Sequence, residues 1–141
     1  VAARQAHLEA GNPLELVRVG DELSGRQDHE QAYSILRAVL QALRDQLTVE
    51  EAVHLSAQLP MVLRGTYFEG WKASATPSRD ETVAEFADSV SAKQSDGVDV
   101  DPVYAAQSVF ALLDQRVSAG EVEQVKGQLP GELRQLWPAD N

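Results

Sequence analysis

The chain has 141 residues, 43% of them hydrophobic and 24% charged, with no cysteine and a formal net charge of −10. That length holds one domain, or two small halves around a shared core, and the composition lies away from the disordered and membrane-spanning classes. Disulfides, thiol catalysis and thiolate metal sites are excluded, and the acidity opposes binding to nucleic-acid phosphates or to an anionic membrane surface.

The first segment, Val1 to Gly11, carries Arg4, His7 and Glu9 and lacks the apolar stretch of a secretory signal. A soluble, cytoplasmic protein is the expectation, with residues 1–13 as an N-terminal extension. Leu14 to Leu23 reads as a lead helix with an irregular stripe. From Ala32, the residues Ile35, Leu36, Val39, Leu40, Leu43 and Leu47 recur at three- and four-residue steps. That is the apolar stripe of an amphipathic helix, with Ser34, Arg37, Gln41 and Arg44 on its other side. Thr48-Val49-Glu50-Glu51 then reads as a capping box opening the next helix. Pro60 ends that helix and starts a short one carrying Val62, Leu63 and Tyr67. Gly70 to Ser78 is a loop, and Ser78-Arg79-Asp80-Glu81 is a further capping-box pattern. It precedes a helical stripe of Val83, Phe86, Ala87 and Val90. An acidic turn, Asp96 to Val100, leads to Asp101-Pro102, an N-cap with proline in the first helical position. No stretch alternates as a strand does.

The rest of the chain repeats what came before. At an offset of seventy residues Gln58-Leu59-Pro60 returns as Gln128-Leu129-Pro130, Leu63-Arg64 as Leu133-Arg134, Glu51 as Glu121, Leu43 as Leu113 and Val39 as Val109. Thr48 returns as Ser118, so the cap pattern is duplicated with the helices around it. The sequence therefore predicts an all-α protein, a helical bundle of two pseudo-symmetric repeats of three to four helices. The first spans 14–71 and the second 72–141. Each is too small to bury much surface alone, so the two pack across a pseudo-twofold interface.

Ala32-Tyr33, Arg37-Ala38-Val39-Leu40, Ala42-Leu43-Arg44-Asp45, Gln58-Leu59-Pro60, Leu63-Arg64 and Glu69-Gly70-Trp71, followed by Gln128-Leu129-Pro130, Leu133-Arg134 and Leu136-Trp137-Pro138, give the chain a familiar pattern. From Leu14 onward it resembles the bacterial DUF2267 family, grouped as a domain of unknown function. The resemblance implies a tandem helical fold, and it carries over no catalytic residue. The segment Leu14 to Leu23 departs most from the pattern.

Candidate chemistry is sparse. Glu50 and His54 stand four apart on one helical face with Glu51 adjacent, a spacing that can begin a metal site or an acid–base pair. Further ligands are missing at motif spacing, and Gly120 and Gln124 occupy the equivalent places in the second repeat. A solvated helical pair is therefore the reading, with no metal and no cofactor. Asp96, Asp99 and Asp101 fail as a calcium loop. With Gly97 in the sixth place, Ala92 and Gln94 take the first and third and Val103 the twelfth. The cluster of Tyr67, Phe68 and Trp71 beside Arg64 and Lys72 either seals one end of the bundle or forms a ligand or partner surface. Arg64, Tyr67 and Trp71 are the candidates for that surface. Phosphate loops, nucleophile elbows and His-Glu-x-x-His motifs are absent from the sequence. The expectation is a non-catalytic interaction or structural domain, binding an unknown protein partner or itself as a homodimer, with no nucleic acid and no membrane. The alternative is a small-molecule or metal binder using the cleft between repeats or the Tyr67/Trp71 end.

Overall fold

The computed structural model describes residues 29–95 and 100–139. The lead helix expected over 14–23 and the acidic turn at 96–99 lie outside them. Among the described residues there are seven α-helices and no strand. The first three are α1 (His29–Gln46), α2 (Val49–Ser56) and α3 (Met61–Phe68), followed by a 3-10 turn (Ala73–Ala75) and α4 (Val83–Lys93). Then come α5 (Pro102–Arg116), α6 (Ala119–Gly127) and α7 (Gly131–Arg134). α5, α6 and α7 repeat α1, α2 and α3 at the offset read from the sequence. The architecture is an all-α bundle.

One continuous core runs through both repeats and contains Leu43 and Leu113 at their equivalent places, together with Tyr67, Phe86, Phe110 and Trp137. Phe110 stacks on Trp137 with ring centroids 4.5 Å apart and stands 5.9 Å from Phe86. α1 is the central element, packed against α3, α4 and α5, and α4 also lies along α5. The lead helix of the second repeat thus fills the space between the two central helices.

The enclosure of α1 explains a departure from the sequence reading. Ser34, Gln41 and Arg44, assigned to its solvent side, are buried. Each is satisfied by the elements that cover it. Ser34 donates to the Ser95 hydroxyl at 2.9 Å and accepts from the Ser95 N–H at 3.1 Å. Gln41 donates to the Thr66 carbonyl at 2.9 Å. Arg44 donates to the carbonyls of Tyr67 and Glu69, both at 2.9 Å, and to the Asp45 carboxylate at 2.8 Å. Tyr67 belongs to the last turn of α3 and Glu69 follows its end, so Arg44 places a cation against otherwise orphaned C-terminal carbonyls. α3 stops at Phe68, and Gly70 turns the chain at φ +71°, a conformation that glycine adopts without steric cost.

α4 also begins later than its sequence suggests. Its cap is Thr82, not Ser78: Thr82 Oγ1 accepts from the Glu85 N–H and the Glu85 carboxylate accepts from the Thr82 N–H, both at 3.1 Å. The Glu85 carboxyl is held below its usual range chiefly by the backbone N–H groups of Glu81 and Thr82. Asp101 caps α5 as expected, accepting from the Val103 N–H at 3.1 Å with Pro102 in the first turn.

The expected capping boxes at Thr48 and Ser118 are only half formed. Thr48 Oγ1 accepts from the Glu51 N–H at 3.2 Å and Ser118 Oγ from the Glu121 N–H at 3.3 Å. The reciprocal bond, however, comes from the other repeat. The Gln128 side-chain carbonyl accepts from the Thr48 N–H at 3.0 Å, and the Gln58 side-chain carbonyl accepts from the Ser118 N–H at 2.8 Å. Gln58 also donates to the Ser118 hydroxyl at 3.1 Å. Each glutamine follows the end of one capped helix and serves the start of the other, so α2 and α6 pack antiparallel about the pseudo-twofold axis.

Loss of either glutamine leaves one helix start without its cross-repeat acceptor. Gln58→Ala and Gln128→Ala are each expected to cost about 0.5–1.5 kcal/mol by urea denaturation. Because the core is shared, the variants should still unfold in a single transition by circular dichroism and tryptophan fluorescence together. Separate transitions for the two probes would show that the repeats do not form one cooperative unit.

Candidate functional site

The cross-repeat caps release Glu51 and Glu121 from the role the sequence suggested for them. Both stand in the third position of their helices, where a capping-box glutamate folds back over the helix start. With that position taken by Gln128 or Gln58, each carboxylate turns inward. Glu51 is 5% exposed and Glu121 8%. They meet across the axis, and Oε2 of each has no hydrogen-bond partner. One ligand atom from Glu51, one from Glu121 and one from the His54 imidazole lie within 4.8 Å of one another. His54 stands one turn beyond Glu51 on α2 and is exposed, so it closes the cluster from the solvent side.

Two buried carboxylates facing each other resist ionising together. The Glu51 carboxyl is pushed up to about 8, first by burial, then by its hydrogen bond to Glu121 and by the charges of Glu121 and Glu50. The N-terminal field of α2 acts the other way, but the nearest backbone donor, the Glu51 N–H, is already bonded to Thr48. Desolvation and like charge prevail. The cluster reaches Tyr67 as well. Its phenol is fully buried, donates to the Ala52 carbonyl at 2.9 Å, and is raised by burial. Arg44 opposes that rise, while Glu51 and Glu121 add to it.

The sequence pointed to Glu50 as the partner of His54. Glu50 is exposed and Glu51 takes that place, joined by Glu121 from seventy residues away. The signal was present: Glu51 and Glu121 are equivalent in the two repeats, and equivalent residues near a twofold axis face each other.

Of the residues singled out for a ligand or partner surface, Tyr67 and Arg64 serve the fold, and Trp71 is half-buried. Tyr67 is enclosed and stands edge-on to Phe68, with ring centroids 5.1 Å apart. Phe68 in turn lies 5.3 Å from the half-buried Trp71. Arg64 donates to the Ser56 carbonyl at 2.9 Å and the Leu59 carbonyl at 3.1 Å, tying down the end of α2 in its own repeat. The cleft where the repeats meet, about 460 Å³, is open; Thr48, Pro77, Arg79, Asp80, Gln128 and Pro130 are among its lining, and neither Tyr67 nor Trp71 reaches it.

A different surface stands out. Val49 and Val53, one turn apart on α2, are 44% and 47% exposed, and Met61 and Val62 at the start of α3 are 79% and 61% exposed. The second repeat has Ala119, Glu123, Gly131 and Glu132 at these places. The outer α2–α3 corner is therefore apolar in one repeat and small or acidic in the other.

The sequence profile of a family described as "Uncharacterized conserved protein (DUF2267)" matches residues 16–136. The chain belongs to the DUF2267 family. The match takes in both repeats, the Glu51–His54–Glu121 cluster and the apolar corner. A search of curated proteins finds no match. Among the described residues, no helix of this DUF2267 protein is long and apolar enough to cross a membrane.

The raised Glu51 carboxyl has a consequence for stability. The folded protein holds a proton that the unfolded chain releases near the ordinary glutamate value, so this group's contribution is full below about pH 4.5 and declines as pH rises through about 8. In metal-free buffer the wild type is expected to lose thermal stability between pH 6 and 9. Glu51→Gln, which keeps the shape and a donor while removing the charge, should be the more stable protein at pH 9 and show a shallower decline. Parallel curves for the two proteins would mean that Glu51 is ionised throughout.

Proposed function

We propose that this DUF2267 domain is a non-catalytic interaction module that docks an apolar partner surface on the α2–α3 corner of its first repeat. The supporting observation is the difference between the repeats. The four outward positions of that corner carry valine or methionine at substantial exposure, where the second repeat carries alanine, glycine or glutamate. Exposed apolar side chains gathered on one corner are the signature of a contact surface. Glu50 and the overall charge of −10 surround the corner with negative potential, which suits a partner whose apolar face has a basic rim. The same repulsion works against a second copy of this chain, and self-association as a homodimer is the competing outcome. The lack of cysteine agrees with a reducing, cytoplasmic setting.

The second repeat supplies its own control substitutions. Val53→Glu with Val62→Glu copies Glu123 and Glu132 into the first repeat at exposed positions, so melting temperature and circular dichroism should change little. The wild type and this double variant would be used side by side as bait in extract from the native cell, with bound proteins quantified by mass spectrometry. A partner retained at least tenfold better by the wild type is expected. Identical retention by both baits would sink the reading, and a wild-type dimer that the double variant dissociates in sedimentation velocity would replace the foreign partner with a second copy.

A further inference from the structure

We propose that Glu51, His54 and Glu121 bind one divalent transition-metal ion across the pseudo-twofold axis, with Zn²⁺ the best fit. Three observations carry this, and none depends on the docking surface. The donor set is two carboxylates and one imidazole, with the three ligand atoms within 4.8 Å of one another. A tetrahedral zinc site with bonds of about 2.0–2.1 Å has its ligand atoms about 3.3 Å apart. Side-chain rotation therefore has at most about 1.5 Å to close, and His54, being exposed, is free to move inward.

The second observation is the state of the carboxylates. Both are more than nine-tenths buried, and Oε2 of each has no hydrogen-bond partner. Buried ionised groups are ordinarily paired or coordinate a metal. Among the described residues, arginines of α1 and α3 are engaged elsewhere. Arg44 is committed to the carbonyls of Tyr67 and Glu69, and Arg64 to those of Ser56 and Leu59. A cation between the two carboxylates would supply the missing counter-charge to both at once.

The third observation is the asymmetry. The carboxylates are related by the repeat, but His54 is not: Gln124 stands at its equivalent place. A single imidazole on the solvent side makes a three-ligand site with an entry path and one position left for water, the arrangement of an open zinc site. It also selects the class of ion. Calcium and magnesium favour shells built from oxygen, whereas an imidazole beside carboxylates suits zinc and its transition-metal neighbours.

The full chain, stripped with a chelator and dialysed, would be titrated with Zn²⁺ by calorimetry and by competition with a chromogenic chelator, with Ca²⁺ and Mg²⁺ as controls. One Zn²⁺ per chain is expected, with a rise in melting temperature on binding and no saturable response to Ca²⁺ or Mg²⁺. His54→Gln, which installs the residue of the second repeat at an exposed position, should fold normally and bind at least tenfold more weakly. Glu51→Gln and Glu121→Gln should abolish the site. His7→Ala with His29→Ala, which removes the other two histidines, should bind as the wild type does. Wild-type affinity in His54→Gln, loss of binding in the His7/His29 variant, or no saturable uptake by the wild type would each overturn the assignment.

Discussion

The start of α2 is capped by Gln128 and the start of α6 by Gln58, and the rest of the molecule is arranged around that exchange. A helix start leaves backbone N–H groups without partners, and a local capping box is the usual remedy. Here each repeat supplies half of the remedy to the other. The two helices must then lie antiparallel at a fixed register, with opposed dipoles side by side. Neither α2 nor α6 has a complete start within its own repeat, which gives a polar reason for their association in addition to the apolar one. The core makes the same point, since Phe86 of α4 lies beside Phe110 of α5 while α4 packs chiefly on α1 of the other repeat.

A consequence of the exchanged caps is the buried acid pair. Had Glu51 and Glu121 closed their own boxes, both carboxylates would sit near solvent over a helix start. Freed from that, they occupy the axis, where burial and proximity make simultaneous ionisation costly. The residues at the axis are shared by the repeats: Thr48 with Ser118, Glu51 with Glu121, Gln58 with Gln128. The outward residues are not: Glu50, Val53, His54 and Val62 correspond to Gly120, Glu123, Gln124 and Glu132. Symmetry holds the fold together, and the departures from it lie on the exposed side of the first repeat, which supplies the docking corner and the histidine of the proposed metal site.

The helices were legible in the sequence because their signals are local. The apolar periodicity of α1, the prolines at positions 60, 102 and 130, and the hydroxyl caps at Thr48 and Ser118 all act within a turn or two. The errors arose where a distant element decided the outcome. Ser34, Gln41 and Arg44 look like a solvent face until α3 and α4 cover them and supply their partners. Ser78 and Thr82 both precede a plausible acidic residue at the right spacing, and the position of the helix, fixed partly by Glu132 accepting from the Val83 N–H at 2.7 Å, decides between them. The sequence left Tyr67 and Trp71 between sealing one end of the bundle and facing a partner; Tyr67 is enclosed and Trp71 half-buried. The end of α3 at Phe68 and the turn at Gly70 put them in different surroundings.

The candidate site was half legible for the same reason. His54 and its neighbouring carboxylates were visible within one turn of α2, but the missing ligand comes from α6, and only the repeat relation predicts that Glu121 meets Glu51. Packing does not require an acid pair at this place. A glutamine or an apolar residue of similar size fills such a position without the cost of desolvating a charge, and replacements of that kind in buried ion clusters are often neutral or stabilising. A second carboxylate raises the cost again. The feature therefore makes sense as a site for something positively charged, be it the proton that Glu51 retains or a metal ion held with His54. Either occupant turns the interface between repeats into a place where solution conditions act on the fold.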